Sequence, residues 1–327
     1  MSQKPITLRE LAKMSGVSIS TVSRALAGDS RISVKRRQKI EQLVQRTGYR
    51  PQPIRRQRKN AIALLMATAD AGRADDDYQT RLAAILGLLS EESGYHFHLR
   101  LIPREGITEG LPPIVHEQRV DGVILSGCPQ VSLCQALREN KVPAVVMDDD
   151  RERTGLCSLR NDYGPVVREV VDRLVSLGHR RLAFCATNRD WTTVNARCEA
   201  FLACQDASLS CEIVDHFSPN MQGGREGVRH LLSQPNPPTA ILFVNDWMAM
   251  GALLEAARMG IDVPGKLSMV GFDNMPMCDD CEPQLCSVDL GLEDLVQQAL
   301  LRLNEQVTDY HIPDDVILGC NSVWRGS

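Results

Sequence analysis

The sequence predicts an α/β chain in two parts. A small three-helix head containing a helix-turn-helix comes first, followed by a larger body of doubly wound parallel sheets with helices on both faces. Three observations predict it. Net positive charge is confined to the first sixty residues. The first fifty residues hold three short helical patterns separated by cap and turn residues. Beyond residue 60, continuous apolar runs alternate with amphipathic stretches.

A length of 327 residues suits two or three domains. Hydrophobic residues make up 43% and aromatics only 4%, so aliphatic side chains must fill the cores. No apolar run is long enough for a membrane span. The start, "MSQKPITLRE", has no apolar core of a secretory signal, so a cytoplasmic chain is expected. The eleven cysteines have no disulfide-framework spacing and are expected to be reduced thiols. The net charge of −4 conceals an asymmetry: residues 1–60 carry 15 Lys/Arg and three acids, while the rest carries 22 basic and 38 acidic residues. A compact basic head on an acidic body points to a polyanion held by the head alone.

In the head, "TLRE" (Thr7 to Glu10) reads as a capping box opening a helix of two turns to about Met14, with Leu8, Leu11 and Ala12 inward. Ser15-Gly16-Val17 is a tight connection in which Gly16 takes positive φ. Ser18 caps a second helix, Ile19 to Ala27, with Val22, Ala25 and Leu26 inward. Ser33 caps a third, running to about Arg46 and stopping at Gly48, with Ile40, Leu43 and Val44 inward. The outer face of the second helix, Ile19, Ser20, Ser23 and Arg24, is small and hydroxylated. It can approach a major groove closely, with Arg24 forking onto guanine and Ile19 meeting a thymine methyl. A helical protein-binding module is the plainer alternative; the charge segregation argues against it.

In the body, the runs at 61–69, 96–102, 120–127, 143–148, 181–187, 240–245 and 267–273 read as strands, with amphipathic stretches such as 79–93, 163–177 and 247–259 between them. Parallel sheets bind ligands beyond the carboxyl ends of their strands. That rule selects Asp70, Ser126, Asp148, Asn245 and Asp273. The last two have a plainer role as caps of the segments that follow.

The run "ITLRELAKMSGVSISTVSRALAGDSRISVKRRQKIEQLVQRTGYRP" resembles the DNA-binding headpiece of the LacI/GalR family of bacterial transcription regulators. "LGHRRLAF", "RCEAF", "VNDWMAMGAL", "MVGFDNM" and "PQLCSVD" are similar to that family's regulatory core. The resemblance implies a periplasmic-binding-protein-like core of two doubly wound subdomains with the effector between them. It implies base contacts from Ile19, Ser20, Arg24 and Arg31, and phosphate contacts from Thr7, Ser18, Thr21, Ser23, Ser33 and Tyr49. By matching motif positions it puts Arg197, Asn245 and Asp273 at effector hydroxyls, with Asp70, Asp148 and Ser126 in weaker support and Phe217 as a stacking wall.

Two departures stand out. The family's hinge helix carries an apolar wedge, whereas "QPIRRQRKN" has Arg55 in its Ala position and Arg58 in its Leu position, with Pro53 inside. Arginine cannot wedge between bases. Two readings stay open: entry of Arg55 and Arg58 into a narrow, electronegative minor groove, or a flexible basic linker. After the first strand, "DAGRADDDYQTR" (70–81) replaces the family's usual segment, so an unusual effector is expected.

The expected division is a helix-turn-helix domain at 1–49, a hinge at 50–60 and a core at 61–327. The core's first subdomain takes about 61–159 and 290–316, its second about 160–289 and 317–327. The function expected is a sequence-specific DNA-binding transcriptional regulator, a repressor by family default, switched by a small polar effector such as a sugar or sugar derivative. Its partners would be a pseudo-palindromic double-stranded operator, the effector and a second copy, since no C-terminal leucine heptads suggest a tetramer. No cofactor, metal or membrane is expected, and no catalytic motif is found. "CDDCEPQLC", with Cys278, Cys281 and Cys286, leaves redox or metal sensing through Cys278/Cys281 as an alternative, with Asp279 and Asp280 raising the thiol pKa values. A cytosolic sugar-binding protein is a further rival.

Overall fold

The computed structural model describes residues 8–18, 21–22, 25, 32–47, 58–68, 77–103 and 110–327. They fall into two units, residues 1–58 and 59–327.

In the first unit, helix Leu8–Ser15 is followed by Gly16 at φ +71°, the left-handed turn expected there. Residues 21, 22 and 25 are helical. Their start is capped by Ser18, whose Oγ accepts from the Thr21 amide at 3.1 Å while its carbonyl accepts from the Val22 amide at 3.1 Å. Helix Val34–Thr47 begins on the Ser33 carbonyl. Leu11, Ala12, Val22, Ala25 and Ile40 form a small core, with Val17, Ile32, Leu43 and Val44 packed against it. These are the inward positions expected from helical periodicity, as far as they are described.

The second unit holds two six-stranded sheets. Strands β1 (Ala61–Thr68), β2 (His96–Pro103), β3 (Gly122–Ser126), β4 (Ala144–Met147), β5 (Cys157–Asp162) and β11 (Val316–Gly319) make the first, in order β11-β5-β4-β3-β1-β2. Strands β6 (Arg181–Cys185), β7 (Ser210–Val214), β8 (Ala240–Phe243), β9 (Ser268–Phe272), β10 (Cys286–Asp289) and β12 (Asn321–Val323) make the second, in order β12-β10-β9-β8-β6-β7. Every pairing is parallel except β10 with β12. The continuous apolar runs follow from this burial on both faces. Along β1, Ala61, Ala63, Leu65 and Ala67 pack on one side and Ile62, Leu64 and Met66 on the other. Helices Asp77–Glu92 and Leu292–Thr308 cover one face of the first sheet, and Val131–Glu139 covers the other. In the second unit β1 is anchored at its start by the buried Asp121 carboxylate, which accepts from the Lys59 amide at 2.9 Å and the Ala61 amide at 3.3 Å.

The chain passes between the sheets three times: from β5 into helix Tyr163–Ser176, from β10 into helix Leu292–Thr308, and from β11 to β12. The expected subdomain boundaries at 159/160 and 316/317 therefore cut through strands. β5 runs to Asp162 and β11 to Gly319, paired to each other as Asn161 with Leu318 and Asp162 with Gly319. β5 is absent from the apolar runs of the sequence because half of it, Arg160-Asn161-Asp162, is polar. Among the described residues no helix is long and apolar enough to cross a membrane.

Candidate functional site

The carboxyl ends of β3, β4, β6, β8 and β9 border one cleft between the two sheets, with a cavity of about 80 Å³. Ser126 ends β3, Asp148 follows β4 at φ +61°, Asn245 follows β8 and Asp273 follows β9 at φ +100°. All four line the cleft, as does Arg197 from helix Thr192–Leu202. Gly127, also in the lining at φ +80°, lets the backbone pass close: a Cβ there would lie 2.4 Å from the Ala67 carbonyl oxygen.

Arg197 is the charged centre. It is only 7% exposed. Its Nη1 donates to the Val244 carbonyl at 2.5 Å and its Nη2 to the Tyr163 hydroxyl at 3.4 Å. The guanidinium stacks over the rings of Tyr163 and Phe272, each centroid 4.8 Å away. Asp273 Oδ1 stands 3.9 Å from Nη2. Burial works against the charge, but Tyr163 and Asp273 outweigh it and raise the Arg197 pKa. Its Nε is buried without a hydrogen-bond partner among the described residues.

Asn245 fills the plainer role. It is the N-cap of helix Asp246–Arg258, its Oδ1 accepting from the Met248 amide at 2.8 Å, and its Nδ2 donates to the Pro219 carbonyl at 3.1 Å. One amide hydrogen is left for a ligand. Asp148 accepts from the Tyr78 hydroxyl at 2.7 Å. Burial and the Asp148 charge push the Tyr78 pKa well above its ordinary value.

Phe217 corrects an expectation. It is not in the cleft lining. Its ring packs 6.3 Å from that of His230, in space left open by Gly227. The aromatic walls are Trp191 and Tyr78, which the sequence reading missed, together with the polar Gln79, Thr187 and Thr193. A usable signal existed: the chain has three Trp and five Tyr, and Tyr78 and Trp191 flank strand-to-helix connections.

Two contacts tie the cleft walls together. Arg81 Nη1 donates to the carbonyls of Asp273 and Asn274 at 3.3 and 3.4 Å, and Thr192 Oγ1 donates to Asp149 Oδ1 at 2.8 Å. The three neighbouring acids of 148–150 have separate partners: Tyr78 for Asp148, Arg153 for Asp149 and Arg160 for Asp150. Among the described residues no group of three or more His, Cys, Asp or Glu could hold a metal ion.

The cysteine cluster belongs to another place. Cys278 is fully buried and its thiol is pushed up chiefly by that burial, then by Asp246. Cys281 Sγ donates to the carbonyls of Cys278 and Pro283, and burial raises its pKa too. The expected culprit, Asp279, pairs instead with Arg325 Nε at 2.6 Å. Raised pKa values make poor thiolates, so redox or metal sensing there loses its chemical basis.

In the first unit, Ser18 and Thr21 share a hydroxyl contact of 2.8 Å, and Ser33 is exposed at its helix start. Arg58 is exposed. Thr7, Ile19, Ser20, Ser23, Arg24, Arg31, Tyr49, Arg55 and Asp70 lie outside the described residues.

Residues 7–52 match the bacterial regulatory proteins of the lacI family, and residues 171–327 match the periplasmic binding protein-like domain. The chain is 25% identical to the HTH-type transcriptional repressor CytR of Escherichia coli K12, over 98% of this chain and 96% of that one. It is 27% identical to the HTH-type transcriptional regulator MalR of Streptomyces coelicolor, over 92% and 90%. Among solved structures, it is similar to the transcriptional regulator CelR–cellobiose complex, with TM-score 0.67, 25% identity and coverage of 98% and 99%. It shares its fold with the lac repressor dimer bound to operator and the anti-inducer ONPF, with TM-score 0.68, 24% identity and 99% coverage of both chains.

Proposed function

We propose, from the premise that the chain belongs to the lacI family of bacterial regulatory proteins, that it is a sequence-specific DNA-binding transcriptional repressor and not an enzyme. In this reading a cytoplasmic homodimer presents two headpieces, residues 1–49, to the half-sites of a pseudo-palindromic operator. Ile19, Ser20, Arg24 and Arg31 read bases. Thr7, Ser18, Thr21, Ser23, Ser33 and Tyr49 hold phosphates. The basic segment at 50–60, with Arg55 and Arg58, lies along the minor groove between the half-sites.

A small polar effector, a sugar or sugar derivative, occupies the cleft of the core. Ser126, Asp148, Arg197, Asn245 and Asp273 hold its hydroxyls, and Asp70 is assigned the same role. Trp191 and Tyr78 take over the stacking role first given to Phe217. Rotation of one sheet against the other about the three crossings repositions the segments entering the headpieces. By linkage, an effector that weakens operator affinity must bind the DNA-free form better.

The observation that carries the reading is Arg197: a buried guanidinium whose Nε has no hydrogen-bond partner among the described residues, at the carboxyl ends of parallel strands, in a chain whose first sixty residues carry 15 basic and three acidic residues. Selection from a random duplex library with the full-length protein, at two salt concentrations, tests it. Enrichment of a two-half-site motif, with affinity falling steeply as salt rises, is expected. Binding without any enriched motif overturns sequence-specific regulation.

A further inference from the structure

The turn that presents Asp273 to the cleft is held from behind by a residue outside the cleft lining. We infer that Asp246 is the positioning residue for Asp273: its carboxylate fixes the turn 273–275 and so sets where an effector meets the Asp273 side chain. The bearing on an effector rests on the reading above; the placement of the turn does not.

Asp273 and Asn274 stand at φ +100° and +46°, two successive residues in the left-handed region. Residues with side chains keep such a backbone only where their surroundings over-determine it. Asp246 does so at the amides of the turn. Its Oδ2 accepts from the Met275 amide at 2.8 Å and its Oδ1 from the Ser287 hydroxyl at 2.6 Å. The Ser287 oxygen in turn accepts from the Asn274 amide at 3.0 Å. Asp246 and Ser287 are both buried, so water does not replace these bonds when one is lost. The remaining contacts grip other parts of the turn. Asp289 and Arg325 bond the Asn274 side chain at 3.0 and 2.9 Å, and Arg81 reaches the carbonyls of Asp273 and Asn274.

The carboxylate also sets a spacing. Asp246 directly follows Asn245, the cleft residue at the end of β8, while the turn it holds leaves the end of β9. One side chain therefore ties together two strand ends that each supply a cleft residue. Gly271 in β9 makes room for it, since a Cβ there would collide with Asp246 Oδ1. The arrangement is costly: burial pushes the Asp246 pKa to about 6, so the charged form is disfavoured where it sits. A group that costs stability in this place, yet bonds the amides of a left-handed turn, acts on geometry.

The test is effector-free. Arg197 and Asp273 stand 3.9 Å apart, so the non-additivity of Arg197→Met and Asp273→Asn in thermal unfolding of the full-length protein reads their relative placement. That cycle is measured in wild type and in three backgrounds. Asp246→Ala removes the carboxylate. Ser287→Ala is milder, leaving Asp246 its Met275 bond, and serves if Asp246→Ala does not fold. Leu174→Ala is the control: it empties the same core beside the turn into β6, at the end of the sheet opposite the cleft. The coupling should fall by about half or more with Ser287→Ala and Asp246→Ala and stay unchanged with Leu174→Ala. Full coupling in Ser287→Ala, an equal loss in Leu174→Ala, or no coupling in wild type overturns the inference. Calorimetric titration with ribose, glucose and cellobiose then reads the effector. The tightest of them should bind about fivefold or more weaker to Ser287→Ala and equally to Leu174→Ala. Equal binding by Ser287→Ala and wild type overturns the role in effector binding. Binding of none of the three counts against the sugar reading, while the coupling still decides the placement.

Discussion

Replacing Arg197 with methionine keeps most of the side-chain stem and removes the guanidinium. The Val244 carbonyl loses a 2.5 Å donor, and a buried acceptor left unsatisfied costs about 1–3 kcal/mol. Stacking over Tyr163 and Phe272 disappears, at about 0.5–2 kcal/mol per contact. Asp273, 9% exposed, loses the guanidinium 3.9 Å from its carboxylate. A fully buried partner stripped of its counter-charge costs about 3–5 kcal/mol. Here the separation is 3.9 Å and the carboxylate borders an open cleft, so only part of that applies. Removing a buried charge and its unpaired Nε works the other way. The balance is a destabilisation of about 3 kcal/mol, which lowers the thermal midpoint of the core by roughly 6–12 °C. Thermal unfolding of the wild type, Arg197→Met, Asp273→Asn and the double variant measures it. The double variant should recover about 1 kcal/mol relative to the sum of the single changes. A loss below about 1 kcal/mol in Arg197→Met would show that the guanidinium contacts hold nothing together.

Asp246 is wholly buried, and burial raises its pKa to about 6 although Ser287 and the Met275 amide donate to it at 2.6 and 2.8 Å. Because the folded value lies above the unfolded one, its contribution to stability is fully present below about pH 4 and is lost as pH rises toward 6. Asp246→Asn should therefore gain stability relative to wild type between pH 4.5 and 7; a difference in melting temperature that is flat across that range would refute the assignment. Gly224→Ala would bring a Cβ to 1.9 Å from the Met248 carbonyl oxygen, where two helices cross. A loss of about 1–3 kcal/mol is expected. Gly87→Ala, which meets only the Phe97 ring at 3.3 Å, should change stability by less, and the reverse ranking would argue against the helix crossing. Arg24→Ala should weaken operator binding by about 1–3 kcal/mol and relax one base preference. An unchanged selection motif would remove Arg24 as a base reader.

Several parts of this protein were legible in its sequence because they depend on neighbours along the chain. Ser18 and Ser33 stand at helix starts, and Gly16 takes the left-handed turn between the first two helical segments. Leu11, Val22 and Ile40 face inward because helical period alone dictates it. The uninterrupted apolar runs at β1, β3, β4, β6, β8 and β9 announced strands buried on both faces. Since each run stops within two residues of its strand's end, Ser126, Asp148, Asn245 and Asp273 could be picked as cleft residues from the sequence. The other strands carried weaker marks: β5 ends in three polar residues, and β2 and β7 are edge strands with exposed positions.

What the tertiary structure decided was which of these ends share a space and how each side chain is turned. Trp191 and Tyr78 reach one cleft from connections more than a hundred residues apart, because β6 and β1 hold inner positions in their sheets. Phe217 turned from the cleft into the space beside Gly227, and the Asn245 amide was engaged by its own helix. Arg197 is held by a carbonyl, a hydroxyl and two rings drawn from three other elements. Period and cap residues act over one helix or strand, so a sequence displays them directly. Sheet order and side-chain direction arise from pairings between distant segments, and only folding brings those segments together.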